Sequence, residues 1–88
     1  MIERSVTVTN SLGLHARPAA QLVRLASSFE SHIELVKDDM SVNAKSIMGV
    51  MMLAAECGST LQLRAEGDDA EAALAALAEL VAKGFGES

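Results

Sequence analysis

The chain has 88 residues, half of them apolar, which suits one small domain spanning residues 1–88 and leaves no room for a second core. Twelve Asp and Glu residues outweigh seven Lys and Arg residues, and the formal charge of −5 argues against a nucleic-acid binder that works by neutralising phosphates. A single cysteine excludes an intramolecular disulfide, and with only two aromatic residues the core should consist of aliphatic, alanine and methionine side chains.

The predicted elements begin with a strand over residues 2–9, in which Val6 and Val8 alternate with polar residues. A polar segment then interrupts this period-two pattern. From Ala16 onward, apolar residues recur at the spacing of one helical face, which predicts a first helix that ends near residues 27–28. The sequence contains no apolar run as long as a signal core or a membrane span, and we therefore expect a cytoplasmic protein without membrane insertion.

The middle of the chain predicts a hairpin followed by a short apolar helix. Residues 33–37 and 40–43 have strand patterns and flank an Asp-Asp turn, so they should pair antiparallel. Residues 47–53 then form a helical segment that begins after Ser46. Too many of its residues are apolar for one buried face. Some of them should therefore be exposed and mark a contact surface, for which methionine is well suited.

The last two predicted elements are a strand over residues 60–66 and a helix over residues 70–82. Strict alternation of apolar and polar residues makes this strand the clearest in the chain. Asp68 and Glu71 have the spacing of a capping box at the start of the helix, and Gly84 is typical of its end. The order strand, helix, strand, strand, helix, strand, helix favours an α+β fold. We expect an open-faced sandwich with three helices on one face of a four-stranded sheet.

The residues that carry chemistry are Gly13-Leu14-His15-Ala16-Arg17-Pro18-Ala19, where the loop after the first strand meets the first helix. Pro18 suits a first helical turn, because its missing N–H would have had no intrahelical acceptor. The free amides and the dipole of a helix N-terminus attract anions, and Arg17 adds a planar cation suited to phosphate oxygens. His15 adds a ring nitrogen that is largely unprotonated near neutral pH. The pattern predicts an anion site with a nucleophilic or general-base histidine, although a lone histidine there is more often a cap or a surface residue.

This heptapeptide, together with Asn43-Ala44-Lys45-Ser46-Ile47-Met48-Gly49-Val50-Met51, closely resembles the histidine-containing phosphocarrier proteins (HPr) of the bacterial phosphotransferase system. The resemblance covers essentially the whole chain. It implies a mostly antiparallel sheet with strand order 1-4-2-3. It also implies that Nδ1 of His15 accepts a phosphoryl group from Enzyme I and delivers it to the A component of a permease or regulatory protein. Delivery to a permease is the sugar branch of the system, and it is the role that we expect. Arg17 and the backbone amides of Ala16 and Arg17 would stabilise the phosphate.

The resemblance implies further roles around the second motif. Ser46 corresponds to the residue that a dedicated kinase phosphorylates in some family members, so a serine kinase or phosphorylase is a further expected partner. A serine before a short helix is, however, usually only an N-cap. Partner contacts are expected at Arg24, Ile47, Met48 and Met51. Their alternative roles are core packing for the three apolar residues and a solvated surface position for Arg24.

Neither a metal nor a cofactor is expected, and the protein should be a monomeric carrier rather than an enzyme. His32 should be structural or exposed, since no acidic or cysteine ligand set accompanies it, and Cys57 should pack as a small hydrophobe. Three other interpretations stay open. They are a carrier of the nitrogen-related regulatory branch, a regulatory binder that has lost phosphotransfer, and a small-molecule or metal-binding α+β domain.

Overall fold

The strands and helices follow one another in the predicted order in a computed structural model that describes residues 1–87. The strands are β1 (Ile2–Thr7), β2 (His32–Lys37), β3 (Met40–Asn43) and β4 (Thr60–Glu66), and the helices are α1 (Ala16–Ser27), α2 (Ile47–Met52) and α3 (Ala70–Ala82). A short 3-10 turn over Gly84–Gly86 follows α3. Within the described residues, no helix is long and apolar enough to cross a membrane.

The four strands form one sheet in the spatial order β1-β4-β2-β3, and all three neighbouring pairs are antiparallel. This is the strand order that the family resemblance implies. The register places Val6 opposite Leu61, and Leu35 opposite Leu63. Because side chains alternate between the two faces of a strand, this register collects the apolar residues of the sheet on one face.

The three helices cover that apolar face and enclose the core. Its largest fully buried aliphatic side chains come from the sheet, from all three helices and from the residue after β1: Leu22, Ile33, Leu35, Leu61, Leu63, Leu77, Val8, Val50 and Val81. The opposite face of the sheet is polar. There, Arg64 on the central strand β4 lies 3.5 Å from Glu3 and 3.8 Å from Glu34, on the two neighbouring strands. The fold is therefore the open-faced sandwich that the sequence predicts.

The sulfur-containing side chains are the main departure from the predicted core. All five methionines are exposed, by 43–74% of their surface, so the expectation that methionine would help to fill the core is wrong. The short helix α2 contacts the core through the buried side chains of Val50 and of Leu53, which follows the helix, so its methionines are not needed there. The expectation that Cys57 packs as a small hydrophobe is also wrong. Cys57 is exposed in a turn, with its Sγ 3.6 Å from the carbonyl oxygen of Thr9.

The start of α3 also differs from the prediction. Asp69 precedes the helix, and it makes no side-chain capping bond. Its carboxylate instead accepts hydrogen bonds from the backbone amides of Glu30 and Ser31, both at 2.9 Å, and from the Ser31 hydroxyl. A tertiary contact with the loop before β2 thus replaces the capping box predicted from Asp68 and Glu71.

Candidate functional site

His15 is the N-cap residue of α1. Its backbone is extended, with φ −74° and ψ −173°, and its carbonyl oxygen accepts the first helical hydrogen bond from the amide of Ala19 at 3.0 Å. The imidazole makes no capping bond. The amides of Ala16 and Arg17 therefore lie in the first turn, where a helix offers no internal acceptor, and both residues are exposed. An anion beside His15 would face these amides and the positive end of the helix.

The loop before His15 is fixed by Gly13. This residue has φ +67°, and a Cβ atom placed on it would lie 2.3 Å from the carbonyl oxygen of Ala55. The next amide, that of Leu14, donates to this same carbonyl at 2.9 Å, and the Leu14 side chain is buried. Glycine is required here because of both the backbone conformation and the close approach. The segment after α2 is thereby held against the loop that leads into His15.

The imidazole of His15 contacts a carboxylate from the other end of the described chain. Its Nε2 lies 3.0 Å from Oε1 of Glu87, 72 residues away. The side chain of Asn10, which is 1% exposed, donates to the same oxygen at 3.0 Å and to the carbonyl of Gly13 at 2.7 Å. Asn10 therefore connects the loop before His15 to the Glu87 carboxylate, which contacts the His15 ring.

The chain reaches this position through the 3-10 turn after α3. Gly84 and Phe85 both have positive φ, +64° and +58°, and the Phe85 side chain is buried. Sequence reasoning did not find Glu87 or Asn10. The Gly-Phe-Gly segment at residues 84–86 indicates a reversal of the chain. The periodicity of the sequence does not, however, show that the Glu87 side chain after it contacts His15.

The surroundings of Glu87 keep its carboxylate ionised. The hydrogen bond from His15, followed by that from Asn10, lowers the pKa of Glu87 below its ordinary value, and the positive charge of Arg17 acts in the same direction. An ionised carboxylate can only accept a hydrogen bond, so Nε2 of the neutral imidazole must carry the proton. The lone pair of the ring is then on Nδ1. The site combines a ring nitrogen with a free lone pair, first-turn amides without an intrahelical acceptor, and the guanidinium of Arg17, which is close enough to act on Glu87.

The predicted partner residues lie on the surfaces of α1 and α2. Arg24 is exposed on α1. Four apolar side chains of α2 are also exposed, and we call them the α2 apolar surface: Ile47 (43%), Met48 (74%), Met51 (43%) and Met52 (65%). Helix α2 packs beside α1, and the segment after it supports the loop before His15. The prediction that part of this apolar helix is exposed is confirmed.

Ser46 has a structural contact in addition to the role expected for it, and the neighbouring Lys45 has one as well. Ser46 is the N-cap of α2, and its hydroxyl oxygen accepts a hydrogen bond from the amide of Gly49 at 3.1 Å. Lys45 donates from Nζ to the carbonyl oxygen of Phe29 at 2.8 Å, which connects the segment before α2 to the end of α1. The serine hydroxyl is half-buried at a helix N-terminus, where a phosphate dianion would interact favourably with the helix dipole.

His32 does not join this site. It is exposed at the start of β2, on the polar face of the sheet, and its Nε2 lies 3.0 Å from Oε2 of Glu34. The position agrees with the structural or exposed role predicted for it. Among residues 1–87, no group of three or more histidine, cysteine or acidic side chains is arranged to hold a metal ion.

Comparisons with known proteins agree with the geometry. The family model described as "PTS HPr component phosphorylation site" matches residues 2–83. A phosphocarrier protein HPr from Treponema pallidum is 54% identical, over 99% of each chain. Among solved structures, HPr-C-His from Thermoanaerobacter tengcongensis has a TM-score of 0.96 and 50% identity, covering 100% of this chain and 99% of its own.

Relatives with other names are nearly as similar. A phosphocarrier protein NPr from Shewanella violacea is 44% identical, over 99% of this chain and 96% of its own. The solved structure of Crh from Bacillus subtilis, described as a catabolite repression protein and an intertwined dimer, is 45% identical. It covers 96% of this chain and 97% of its own, with a TM-score of 0.77. Overall similarity therefore does not separate a sugar-branch HPr from a protein of the NPr or Crh type.

Proposed function

Since this chain belongs to the HPr phosphocarrier family of the bacterial phosphotransferase system, we propose that its residues 1–88 act as one carrier domain that transfers a phosphoryl group on His15. The donor is the phosphohistidine of Enzyme I, and the acceptor is the A component of a sugar permease. The observation that best supports this role is the contact between Nε2 of His15 and Glu87, which leaves Nδ1 as the nucleophilic atom. Members of the family are carriers, not enzymes, and the chain is not itself a catalyst.

In the proposed transfer, a bond from phosphorus to His15 forms as the bond from phosphorus to the donor histidine breaks. The lone pair of His15 Nδ1 attacks the phosphorus, the bond from phosphorus to the donor nitrogen breaks, and its electron pair returns to the donor ring. The His15 ring becomes cationic while Nε2 keeps its proton, and the carboxylate of Glu87 faces this charge at 3.0 Å. Arg17 and the first-turn amides stabilise the phosphoryl oxygens. Onward transfer is the same step, with His15 as the leaving group.

An exposed site suits a carrier. The His15 side chain is 36% exposed, and Arg17 is exposed on the first turn of α1. Tight binding of the phosphorylated state would slow the onward step, because only interactions that favour the transition state accelerate transfer. We therefore assign most of the catalytic stabilisation to the partner proteins, which approach over Arg24, Ile47, Met48 and Met51.

Ser46 is proposed as a regulatory phosphorylation site. Its hydroxyl lies at the start of α2, next to the α2 apolar surface, so that a phosphate dianion there would change the charge of the partner surface. The amide of Gly49, which now donates to the hydroxyl oxygen, could donate to a phosphate oxygen instead. Incubation of the wild type and Ser46→Ala with a cognate ATP-dependent kinase tests the proposal. Absence of phosphoserine in the wild type would contradict it.

The sugar branch is preferred over two alternatives. The similarity to an NPr makes a carrier of the nitrogen-related branch the second candidate, and the similarity to Crh makes a regulatory binder the third. A panel of purified A components from both branches distinguishes the first two by their transfer rates.

We further propose that the protein is a cytoplasmic monomer. Light scattering tests the oligomeric state, and a stable dimer at micromolar concentration would contradict it.

The decisive experiment is phosphorylation by phosphoenolpyruvate and Enzyme I. We expect the wild type to gain one acid-labile phosphoryl group and His15→Ala to gain none, because the mutant lacks the acceptor nitrogen. Intact mass spectrometry at neutral pH measures the gain. An unphosphorylated wild type with an active, cognate Enzyme I would instead support the regulatory binder.

A further inference from the structure

Every sulfur atom of the chain lies outside the core. The five methionines and the single cysteine are all exposed, although methionine is ordinarily among the residues most often buried. The core cluster consists of leucine, isoleucine, valine, alanine and one phenylalanine. A mild oxidant that reaches this protein therefore meets thioethers at the surface and none in the interior.

Three of the five methionines belong to one helix. Met48 is 74% exposed, Met52 is 65% exposed and Met51 is 43% exposed. The residues that hold α2 in place carry no sulfur. Val50 and Leu53 are buried, and Ser46 caps the first turn. Oxidation of the three thioethers would change the outer surface of α2 without removing its anchors.

We propose that Met48, Met51 and Met52 form a reversible oxidation switch, in which peroxide-class oxidants convert their thioethers to sulfoxides and weaken the docking of phosphotransfer partners. This inference rests on the proposed function, since it requires the α2 apolar surface to be a docking surface. It adds to that function a modification site and the class of reagent that acts there.

The chemical step balances with hydrogen peroxide as the oxidant. The sulfur lone pair attacks one peroxide oxygen, the O–O bond breaks, and proton transfer releases the other oxygen as water. Sulfur loses two electrons and gains a sulfur–oxygen bond, while the peroxide is reduced to water. Methionine sulfoxide reductase reverses the step at the expense of a thiol reductant, so the change is recoverable.

The effect on docking follows from the polarity of the sulfoxide. A thioether is apolar and adaptable, which suits a surface that meets several partners. A sulfoxide oxygen is a strong hydrogen-bond acceptor, and burying it in an apolar contact without a donor is unfavourable. We expect oxidation to raise the KM of Enzyme I for this protein at least about fivefold, with little change in kcat, because His15 and its neighbours carry no sulfur.

The experiment uses Cys57→Ser as the background, since peroxide also oxidises thiols. The protein is treated with hydrogen peroxide, the peroxide is removed with catalase, and untreated Enzyme I is then added with phosphoenolpyruvate. Peptide mass spectrometry locates the added oxygens, and circular dichroism checks the fold. The triple variant M48L/M51L/M52L and the matched control M1L/M40L are treated in the same way, and each protein is compared with its own untreated sample.

We expect the Cys57→Ser background and the M1L/M40L control to show the rise in KM, and the triple variant to show none. Methionine sulfoxide reductase should restore the original KM. Two outcomes would contradict the switch but leave the proposed function standing. One is an unchanged KM although sulfoxide is located at Met48, and the other is an equal rise in KM when the triple variant is oxidised. Loss of the helical signal on oxidation would also overturn it, since the claim is a change of surface and not of fold. If the untreated protein is not phosphorylated at all, the proposed function fails and the switch fails with it.

Discussion

At the scale of single residues, the two nitrogens of the His15 ring have different surroundings. Nε2 faces the carboxylate of Glu87 at 3.0 Å, and the same carboxylate accepts a hydrogen bond from Asn10. This contact favours the proton on Nε2 and so leaves the lone pair on Nδ1, the atom that we propose attacks phosphorus. We therefore infer that Glu87 is a positioning residue, which would act through the imidazole.

Glu87→Gln tests that role with a side chain of the same shape. The amide oxygen can still accept from Nε2, but it lacks the charge that favours this proton position and balances the cationic ring. We expect a smaller fraction of the Nε2–H form, measured by ¹⁵N NMR of the imidazole. The phosphotransfer rate should fall about two- to fivefold, the modest effect typical of an exposed ion pair. An unchanged tautomer ratio would show that Glu87 does not position the ring.

The same contact predicts a pH dependence. Because the pKa of Glu87 is lowered in the folded protein, its interaction is fully present above the ordinary value of 4.5 and is lost as the pH falls through the lower folded value. We expect the NMR signals of the Asn10 side-chain amide to shift with a midpoint below pH 4.5. Glu87→Gln should remove this transition. A midpoint at or above the ordinary glutamate value would contradict the contact.

At the scale of elements, α2 separates its anchoring side chains from its exposed ones. Met48 is 74% exposed, so Met48→Glu removes no core contact, and we expect the free energy of unfolding to change by no more than about 0.5 kcal/mol. If the α2 apolar surface is the docking surface that we propose, a charge there should weaken Enzyme I binding about tenfold. Isothermal titration calorimetry measures the affinity, and thermal denaturation measures the stability.

The matched control for this variant is Met40→Glu. Met40 is also exposed, at 43%, but it lies on β3 outside the α2 apolar surface. We expect this variant to bind Enzyme I with wild-type affinity. Equal weakening by both substitutions would point to the overall negative charge of the protein instead of a local docking surface.

At the scale of the whole molecule, stability depends on the single layer between the sheet and its helices. Leu63 is fully buried on β4, and its neighbours in the sheet are β1 and β2. Leu63→Ala should lower the free energy of unfolding by about 2–5 kcal/mol, through lost burial and the cavity left behind. Urea denaturation measures this change. Gln62→Ala, on the opposite face of the same strand, should change the stability by no more than about 0.5 kcal/mol.

The strands and helices and their order along the chain could be predicted from the sequence because they depend on local patterns. The strand order within the sheet was instead implied by the family resemblance. Alternation at β4 and helical spacing in α1 come from residues close together in the chain. The contacts that were missed join distant segments: Glu87 meets His15, and Asp69 meets the loop at Ser31. The exposure of some residues of α2 was predicted, but not that all five methionines are exposed. Composition shows how many apolar residues are available, but not which of them the helices turn outward.

The pairing of β1 with β4 has a consequence for the order of events during synthesis. Ile2 lies opposite Ala65, so β1 leaves the ribosome well before β4, the strand with which it pairs, has been made. Pairings between residues so distant in sequence also form slowly, because a long loop must be closed first. The carboxylate beside His15 comes from Glu87, later still. A nascent chain can therefore present the histidine, but it completes the histidine's surroundings only when translation has passed the last helix.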